Sequence, residues 1–91
     1  MTVTSTRELT ILNKLGIHAR PAAQFVKTAS AFLCEIRVEK DGEEVDGKSI
    51  MGLMMLAAGH GSVITVTAEG DDADQALAAL EALVARRFEE E

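Results

Sequence analysis

Apolar and polar residues alternate in three separate stretches of the chain, and each stretch predicts a β-strand. Residues 7–12 put two apolar side chains on one face, which is the period of a half-buried strand. Residues 35–40 alternate in the same way and lead into Asp41-Gly42, the dipeptide typical of a tight hairpin, so a further strand should follow directly. Residues 62–69 are rich in β-branched side chains and predict the fourth strand.

Other stretches repeat apolar residues at helical spacing. Residues 17–33 predict the first helix, and Pro21 sets its start just upstream because the first helical turn tolerates a residue without an N–H. His18 then falls near the N-cap. Residues 50–58 predict a short second helix with Ser49 as its N-cap. The expected buried stripe of the first helix is Ala22, Val26, Ala29 and Leu33, flanked by Phe25 and Phe32.

A third helix completes the fold prediction. Asp71, Asp72 and Asp74 place negative charge at its start, where the positive end of the helix dipole favours it. Residues 89–91 should form a solvated tail. The order β-α-β-β-α-β-α predicts an α+β domain in which three helices cover one face of a four-stranded antiparallel sheet, with water on the other face. The expected buried stripe of the third helix is Ala73, Ala76, Leu77, Leu80, Leu83 and Val84.

The composition limits the size and the functional class. The 91 residues make one small domain, spanning positions 1–91. Aromatic residues are 3% of the chain and fifteen Asp and Glu residues oppose nine Lys and Arg residues. Few rings are therefore available to stack on bases, and the net charge repels phosphate backbones and anionic lipids. We expect no nucleic-acid partner and no membrane insertion.

Cysteine usage and the N-terminal sequence indicate the compartment. The single cysteine, Cys34, cannot form an internal disulfide, and its neighbours predict a small apolar filler in a reducing environment. The N-terminus has neither the basic nor the apolar region of a signal peptide, and no apolar run is long enough to span a membrane. We therefore expect a cytoplasmic protein. With two His and one Cys and no phosphate-binding glycine loop, we expect no metal and no cofactor.

The candidate chemistry lies at the start of the first helix. An imidazole such as His18 is largely neutral near pH 7, so a ring nitrogen can act as a nucleophile toward a phosphoryl group. Arg20 is permanently charged and suits the oxygens of that group. The helix start adds unpaired amides and a positive field. Spacing alone leaves an alternative open, in which His18 simply caps the helix and Arg20 is a solvated cation.

The second helix has more apolar residues than one buried face can use. If Leu53 and Leu56 point inward, three apolar side chains form an outward patch that fits protein partners. The alternative is burial of that patch under a loop. Ser49 is either an ordinary N-cap or also a site for a phosphoserine. His60 is interpreted as a loop residue. The three outward residues are Ile50, Met51 and Met54.

Two separated motifs and the last helix together resemble one known family. The segments that carry the likeness, which extends over about residues 8–88, are GIHARPAAQFVKTAS, GKSIMGLMMLAAGHG and AEGDDADQALAALEALV. They resemble the HPr family, the histidine-containing phosphocarriers of the bacterial phosphoenolpyruvate-dependent phosphotransferase system. The resemblance implies an open-faced β-sandwich, which agrees with the element order. Just before Gly16, many members carry Ser or Asn where this chain has Leu15.

The resemblance also implies roles for individual residues. His18 would be phosphorylated on Nδ1 by enzyme I and would pass the group to IIA domains, with Arg20 stabilising the phosphate. Ser49 would be the target of an HPr kinase/phosphorylase. The outward residues Ile50, Met51 and Met54 would dock partner proteins. The Met-rich second helix also resembles the nitrogen-related branch of the system.

Two functional hypotheses follow. The leading one is a monomeric carrier that relays a phosphoryl group through His18 and is not an enzyme on its own. The alternative is a regulatory interaction module of the nitrogen-related branch, or one that acts through Ser49 and the apolar patch while His18 is idle. Substitution of His18 separates them, because only the relay needs its imidazole.

Overall fold

The computed structural model describes residues 2–89 and shows the seven predicted elements in the predicted order. The four strands are β1 (Thr4–Thr10), β2 (Glu35–Lys40), β3 (Glu43–Asp46) and β4 (Val63–Glu69). The three helices are α1 (Ala19–Ala29), α2 (Ile50–Met55) and α3 (Ala73–Ala85), and a tight turn at Arg87–Glu89 follows α3.

The strands form one antiparallel sheet in the order β1-β4-β2-β3. The central strand β4 pairs Thr67 with Thr6 of β1 and Val66 with Val38 of β2. Alternate side chains of β2 and β4 point toward the helices and fill the core, since strand side chains alternate between faces. This confirms the predicted α+β fold, an open-faced β-sandwich. The fully buried inward residues of β2 and β4 are Ile36, Val38, Ile64, Val66 and Ala68.

The other face of the sheet carries polar side chains, as predicted. The Thr6 and Thr67 hydroxyl oxygens lie 3.2 Å apart across the β1–β4 pair. The Arg37 guanidinium lies 3.6 Å from the Glu35 carboxylate and 3.5 Å from that of Glu69. These ion pairs lie at the surface and contribute little to the free energy of unfolding. This face of the sheet is therefore open to water and is not covered by the three helices.

Three local predictions are confirmed in detail. The hairpin between β2 and β3 places both Asp41 and Gly42 at positive φ, 53° and 86°, which is the geometry of the predicted tight turn. In α3 every residue of the predicted stripe is buried. The inward-facing pair of α2, Leu53 and Leu56, is buried as well.

The predicted stripe of α1 is wrong at Leu33, whose side chain is 98% exposed. The helix ends at Ala29 and the chain turns through residues 30–34. The Asp72 carboxylate accepts the backbone N–H groups of Leu33 at 2.8 Å and of Cys34 at 3.0 Å. These amides are therefore used by a distant residue instead of by a continuing helix.

Cys34 is buried, which confirms it as a small filler of the core. Gly70 packs against it so closely that an added Cβ would lie 2.7 Å from the Cys34 Cβ atom. Burial first, and the Asp72 carboxylate second, raise the pKa of the Cys34 thiol. The group therefore remains a protonated thiol near neutral pH.

The bounds of β1 and α2 also differ from the prediction. β1 begins at Thr4, upstream of residue 7, and pairs with β4 along its whole length up to Thr10. α2 ends at Met55 rather than at residue 58, because Ala57 adopts a left-handed φ of 52°.

The chain end holds a side chain that periodicity did not predict as core. Phe88 is fully buried at the end of α3, and Glu89 of the predicted tail is exposed. Residues 90 and 91 of that tail lie outside the described residues.

Replacing Asp72 by asparagine should lower the Tm at neutral pH, and the deficit should shrink in acid. The backbone N–H of Leu33 first, and then the thiol and N–H of Cys34, outweigh desolvation and hold the pKa of the Asp72 carboxyl below 3.8. A carboxyl whose pKa is lowered by folding stabilises the protein above its ordinary pKa, and this contribution is lost as the pH falls through the lowered value. Thermal unfolding followed by circular dichroism from about pH 7 to about pH 2 measures the deficit. An equal deficit at both ends of the range would contradict the prediction.

Candidate functional site

His18 is the N-cap of α1, as the sequence predicts. Its backbone is extended, with φ −92° and ψ −165°, and its carbonyl oxygen accepts the N–H of Ala22 at 3.0 Å. The imidazole makes no capping hydrogen bond. The ring itself therefore does not cap the helix, although His18 is its N-cap residue.

The start of α1 adds hydrogen-bond donors beside this imidazole. Ala22 makes the first intrahelical bond and Pro21 has no N–H, so the amides at the helix start belong to Ala19 and Arg20. The first turn contains no acidic residue, which leaves the positive end of the helix dipole without a neutralising charge from α1. The Arg20 side chain is exposed and adds a permanent cation. This arrangement suits an anion such as a phosphoryl group.

The loop before α1 packs against the loop that leaves α2. Gly16 has a φ of 69°, and an added Cβ would lie 2.4 Å from the Ala58 carbonyl oxygen. The N–H of Ile17 donates to that same oxygen at 2.8 Å. Only glycine permits both the left-handed backbone and the close approach. The contact places the α1 start and the α2 end on one side of the molecule.

The outward apolar residues of α2 are exposed as predicted. Ile50 is 42% exposed, Met51 75% and Met54 44%. Met55 is exposed to 66%, although the sequence analysis did not assign it to this surface. We call these four residues the apolar patch. No loop within residues 2–89 buries the patch, so the alternative of a buried patch is wrong for that part of the chain.

Ser49 is the N-cap of α2, as predicted. Its hydroxyl oxygen accepts the N–H of Gly52 at 3.0 Å, and it is partly buried. The neighbouring Lys48 donates from its ammonium to the Phe32 carbonyl oxygen at 2.8 Å, which ties the start of α2 to the turn after α1.

Charge is distributed unevenly along the chain, and the uneven distribution follows the fold. Residues 9–34 and 47–68, which include α1, α2 and their loops, hold none of the fifteen Asp and Glu residues. They hold four of the nine Lys and Arg residues, namely Lys14, Arg20, Lys27 and Lys48. The surface around His18 is therefore locally basic in a protein of net charge −6.

The remaining candidates add no second site. His60 is exposed in the turn after α2, which agrees with its interpretation as a loop residue. Within residues 2–89, no three His, Cys, Asp or Glu side chains are grouped closely enough to hold a metal ion. None of the helices in that range is both long and apolar enough to cross a bilayer.

Sequence reasoning missed one residue of the site. Asn13 is fully buried, and its side-chain amide donates to the Gly16 carbonyl oxygen at 2.7 Å, within the loop that leads to His18. Asn followed three residues later by Gly is a turn signal. That pattern identifies a turn, but it does not reveal that the amide is buried.

Comparison with known proteins places the chain in a family. The model described as "PTS HPr component phosphorylation site" matches residues 5–86. The phosphocarrier protein HPr of Pseudomonas aeruginosa is 52% identical over 84 residues, which cover 91% of this chain and 93% of that protein. HPr of Cupriavidus necator is 49% identical over 84 residues, covering 92% and 94%.

A solved structure agrees with the sequence matches. The crystal structure of HPr from Thermoanaerobacter tengcongensis superposes with a TM-score of 0.92 at 49% identity, and the match covers 96% of this chain and 98% of that one. Family model, sequence identity and fold therefore agree over nearly the whole length. The chain belongs to the HPr family of phosphocarrier proteins of the phosphotransferase system.

Proposed function

We propose that His18 accepts a phosphoryl group from phosphorylated enzyme I and passes it to IIA domains in the cytoplasm. One observation carries this proposal: the imidazole stands at the N-cap of α1 and makes no capping bond there. The ring is thus placed beside the donors of the helix start. Family membership supports the same role, since the matched model describes a phosphorylation site.

The transfer needs no group beyond two imidazoles and the phosphoryl group itself. The electron pair of a neutral His18 ring nitrogen forms the new N–P bond, and the N–P bond of the donor phosphohistidine breaks. The donor ring, which carries a proton on its other nitrogen, keeps that electron pair and becomes a neutral imidazole. The His18 ring likewise keeps the proton on its own second nitrogen, so no net proton is gained or lost. Arg20 and the Ala19 and Arg20 amides stabilise the oxygens of the group on His18.

Docking would use the apolar patch and the basic surface around it. The patch consists of four side chains on one short helix, which suits complexes that form and separate quickly. Because the surrounding segments carry cations and no carboxylates, the matching partner surface would have an apolar centre and an acidic rim. Enzyme I and IIA domains would have to share that chemistry, since both would meet the same residues.

Incubation with phosphoenolpyruvate and enzyme I should add one phosphate to the wild-type protein and none to His18→Ala. The added mass should disappear after acid treatment, because a phosphoramidate is acid-labile and a phosphate ester is not. His60→Ala is the matched control, since it removes the other imidazole and should be phosphorylated like wild type. Intact-mass spectrometry gives the result. Phosphorylation of His18→Ala, or none of wild type with enzyme I from the same organism, would contradict the relay.

The rate of phosphoryl acceptance should fall as ionic strength rises, because salt screens attraction between the basic surface and an acidic partner. Lys27→Glu places a carboxylate in α1, a helix whose own sequence contains none, and should slow acceptance at low salt about tenfold. Lys40→Glu makes the same charge change at the end of β2, in a segment that already contains acidic residues, and should have little effect. Rapid-quench kinetics at several salt concentrations measures both variants. Equal slowing by the two substitutions would argue against a localised docking charge.

We further propose that phosphorylation of Ser49 by an HPr kinase/phosphorylase regulates this docking. The Ser49 oxygen already accepts the Gly52 N–H, and a phosphate ester there would keep an acceptor at the start of α2. It would also place about two negative charges beside Ile50 and Met51. Docking on an acidic partner would weaken as a result.

Ser49→Asp should therefore slow phosphoryl acceptance by His18 without unfolding the protein. Ser49→Ala is the control: it loses the cap bond, worth about 1 kcal/mol, but adds no charge, so its acceptance rate should stay near that of wild type. The module hypothesis makes a different prediction, namely that Ser49→Asp changes partner binding equally in a His18→Ala background and that His18 accepts nothing. Rates and partner binding of the three variants distinguish these outcomes.

A further inference from the structure

We propose that Asn13 is a positioning residue for phosphoryl transfer, because its buried amide orients the loop that carries His18. The inference rests on the proposed function of His18. Asn13 does not touch the transferred group in this account. It acts through the Gly16 carbonyl, which in turn holds the backbone of His18.

The burial of Asn13 is the first observation. It is 0% exposed and is the only buried polar or charged side chain among residues 2–89. Burying an amide is costly unless it is hydrogen-bonded, so the side chain must recover that cost within the protein. Its Nδ2 group donates to the Gly16 carbonyl oxygen at 2.7 Å.

The Gly16 carbonyl is the second observation, because it is shared. It accepts Asn13 Nδ2 at 2.7 Å and the backbone N–H of His18 at 3.1 Å. A second bond closes the same turn, from the N–H of Gly16 to the Asn13 carbonyl oxygen at 3.2 Å. One carbonyl therefore links the buried amide to the residue that would be phosphorylated.

Gly16 makes this link necessary. Glycine has more accessible backbone conformations than any other residue, so the peptide after it can rotate at low cost unless something holds it. The Ile17 N–H side of that peptide is held by the Ala58 carbonyl at 2.8 Å, while the Gly16 oxygen side is held by Asn13. Removal of the Asn13 donor frees one side of the peptide, and the His18 N–H then loses a fixed acceptor.

Loss of this orientation should affect transfer more than stability. The imidazole and the Ala19 and Arg20 amides must face the same phosphoryl oxygens, and a displacement of about 1 Å can cost up to a hundredfold in rate. Because His18 is joined to α1 through the Ala22 bond, the helix itself can persist while the approach to it changes.

Two substitutions of Asn13 test the inference. Asn13→Asp keeps the shape and removes the N–H donor, and Asn13→Leu keeps the branched outline and removes both polar atoms. Each should slow phosphoryl acceptance from enzyme I about tenfold or more, with little change in the apparent KM for the donor. Amide hydrogen exchange should become faster at His18 and change much less at Ile17, whose acceptor is Ala58.

Lowering the pH should restore the missing hydrogen bond in Asn13→Asp but not in Asn13→Leu. Protonation of the Asn13→Asp carboxyl restores a donor for the Gly16 oxygen, so the His18 amide resonance should return toward its wild-type position as the pH falls. Asn13→Leu should show no such return. A purely structural role would not produce this difference.

Asp72→Asn is the matched control, because it weakens a contact at the α1–β2 turn, away from the His18 loop. At a temperature where all variants are folded, its acceptance rate should match wild type. The inference is overturned if both Asn13 variants accept phosphoryl within twofold of wild type, or if their slowing only matches that of Asp72→Asn. Should Asn13→Leu fail to fold, Asn13→Asp decides. If wild type accepts no phosphoryl group, the proposed function fails instead, and exchange at the His18 amide still reports whether Asn13 holds this backbone.

Discussion

The hydrogen bond from the Ile17 N–H to the Ala58 carbonyl is the contact on which the functional surface depends. It joins the loop before α1 to the loop after α2, and it exists only because Gly16 brings no Cβ into the space that Ala58 occupies. It helps to fix the start of α1, which carries the imidazole, against the end of α2, which carries the apolar patch. The sheet and α3 form the support beneath this arrangement.

This geometry suits a carrier, and the chain belongs to a family of phosphocarriers. A carrier must give its group away as readily as it takes it, so its own site should be exposed and should leave part of the catalytic geometry to each partner. The partly exposed His18 and the exposed Arg20 fit that requirement. The absence of carboxylates from residues 9–34 and 47–68 also fits a carrier of an anionic group. An anion can approach these segments despite the overall negative charge.

Local patterns were sufficient for most of the fold. The alternation in β4, the Asp41-Gly42 turn and the α3 stripe each depend on residues close in sequence, and all three were predicted correctly. The prediction that Leu33 is buried was wrong. Its backbone N–H bonds to Asp72, which lies 39 residues away, instead of continuing the helix. The spacing of apolar residues within α1 gives no information about a contact with so distant a residue.

In the candidate site, too, features set by neighbouring residues were predicted and features set by distant residues were not. His18 at the N-cap follows from Pro21 and helical spacing, both of which are local. The burial of Asn13 depends on how the loop packs against the core, and the exposure of Met55 depends on where α2 ends. Neither can be read from the neighbouring sequence, because each is decided by tertiary packing.

We propose that the His18 imidazole and the first amides of α1 form one phosphoryl-binding unit. The most direct measurement is nuclear magnetic resonance of the phosphorylated protein, labelled with ¹⁵N and observed together with ³¹P. We expect the phosphorus to be coupled to a ring nitrogen of His18 and the Ala19 and Arg20 amide resonances to shift strongly. The ring resonances of His60 should stay unchanged. Phosphorus on any other residue, or a phosphorylated His18 that leaves both amides unshifted, would contradict it.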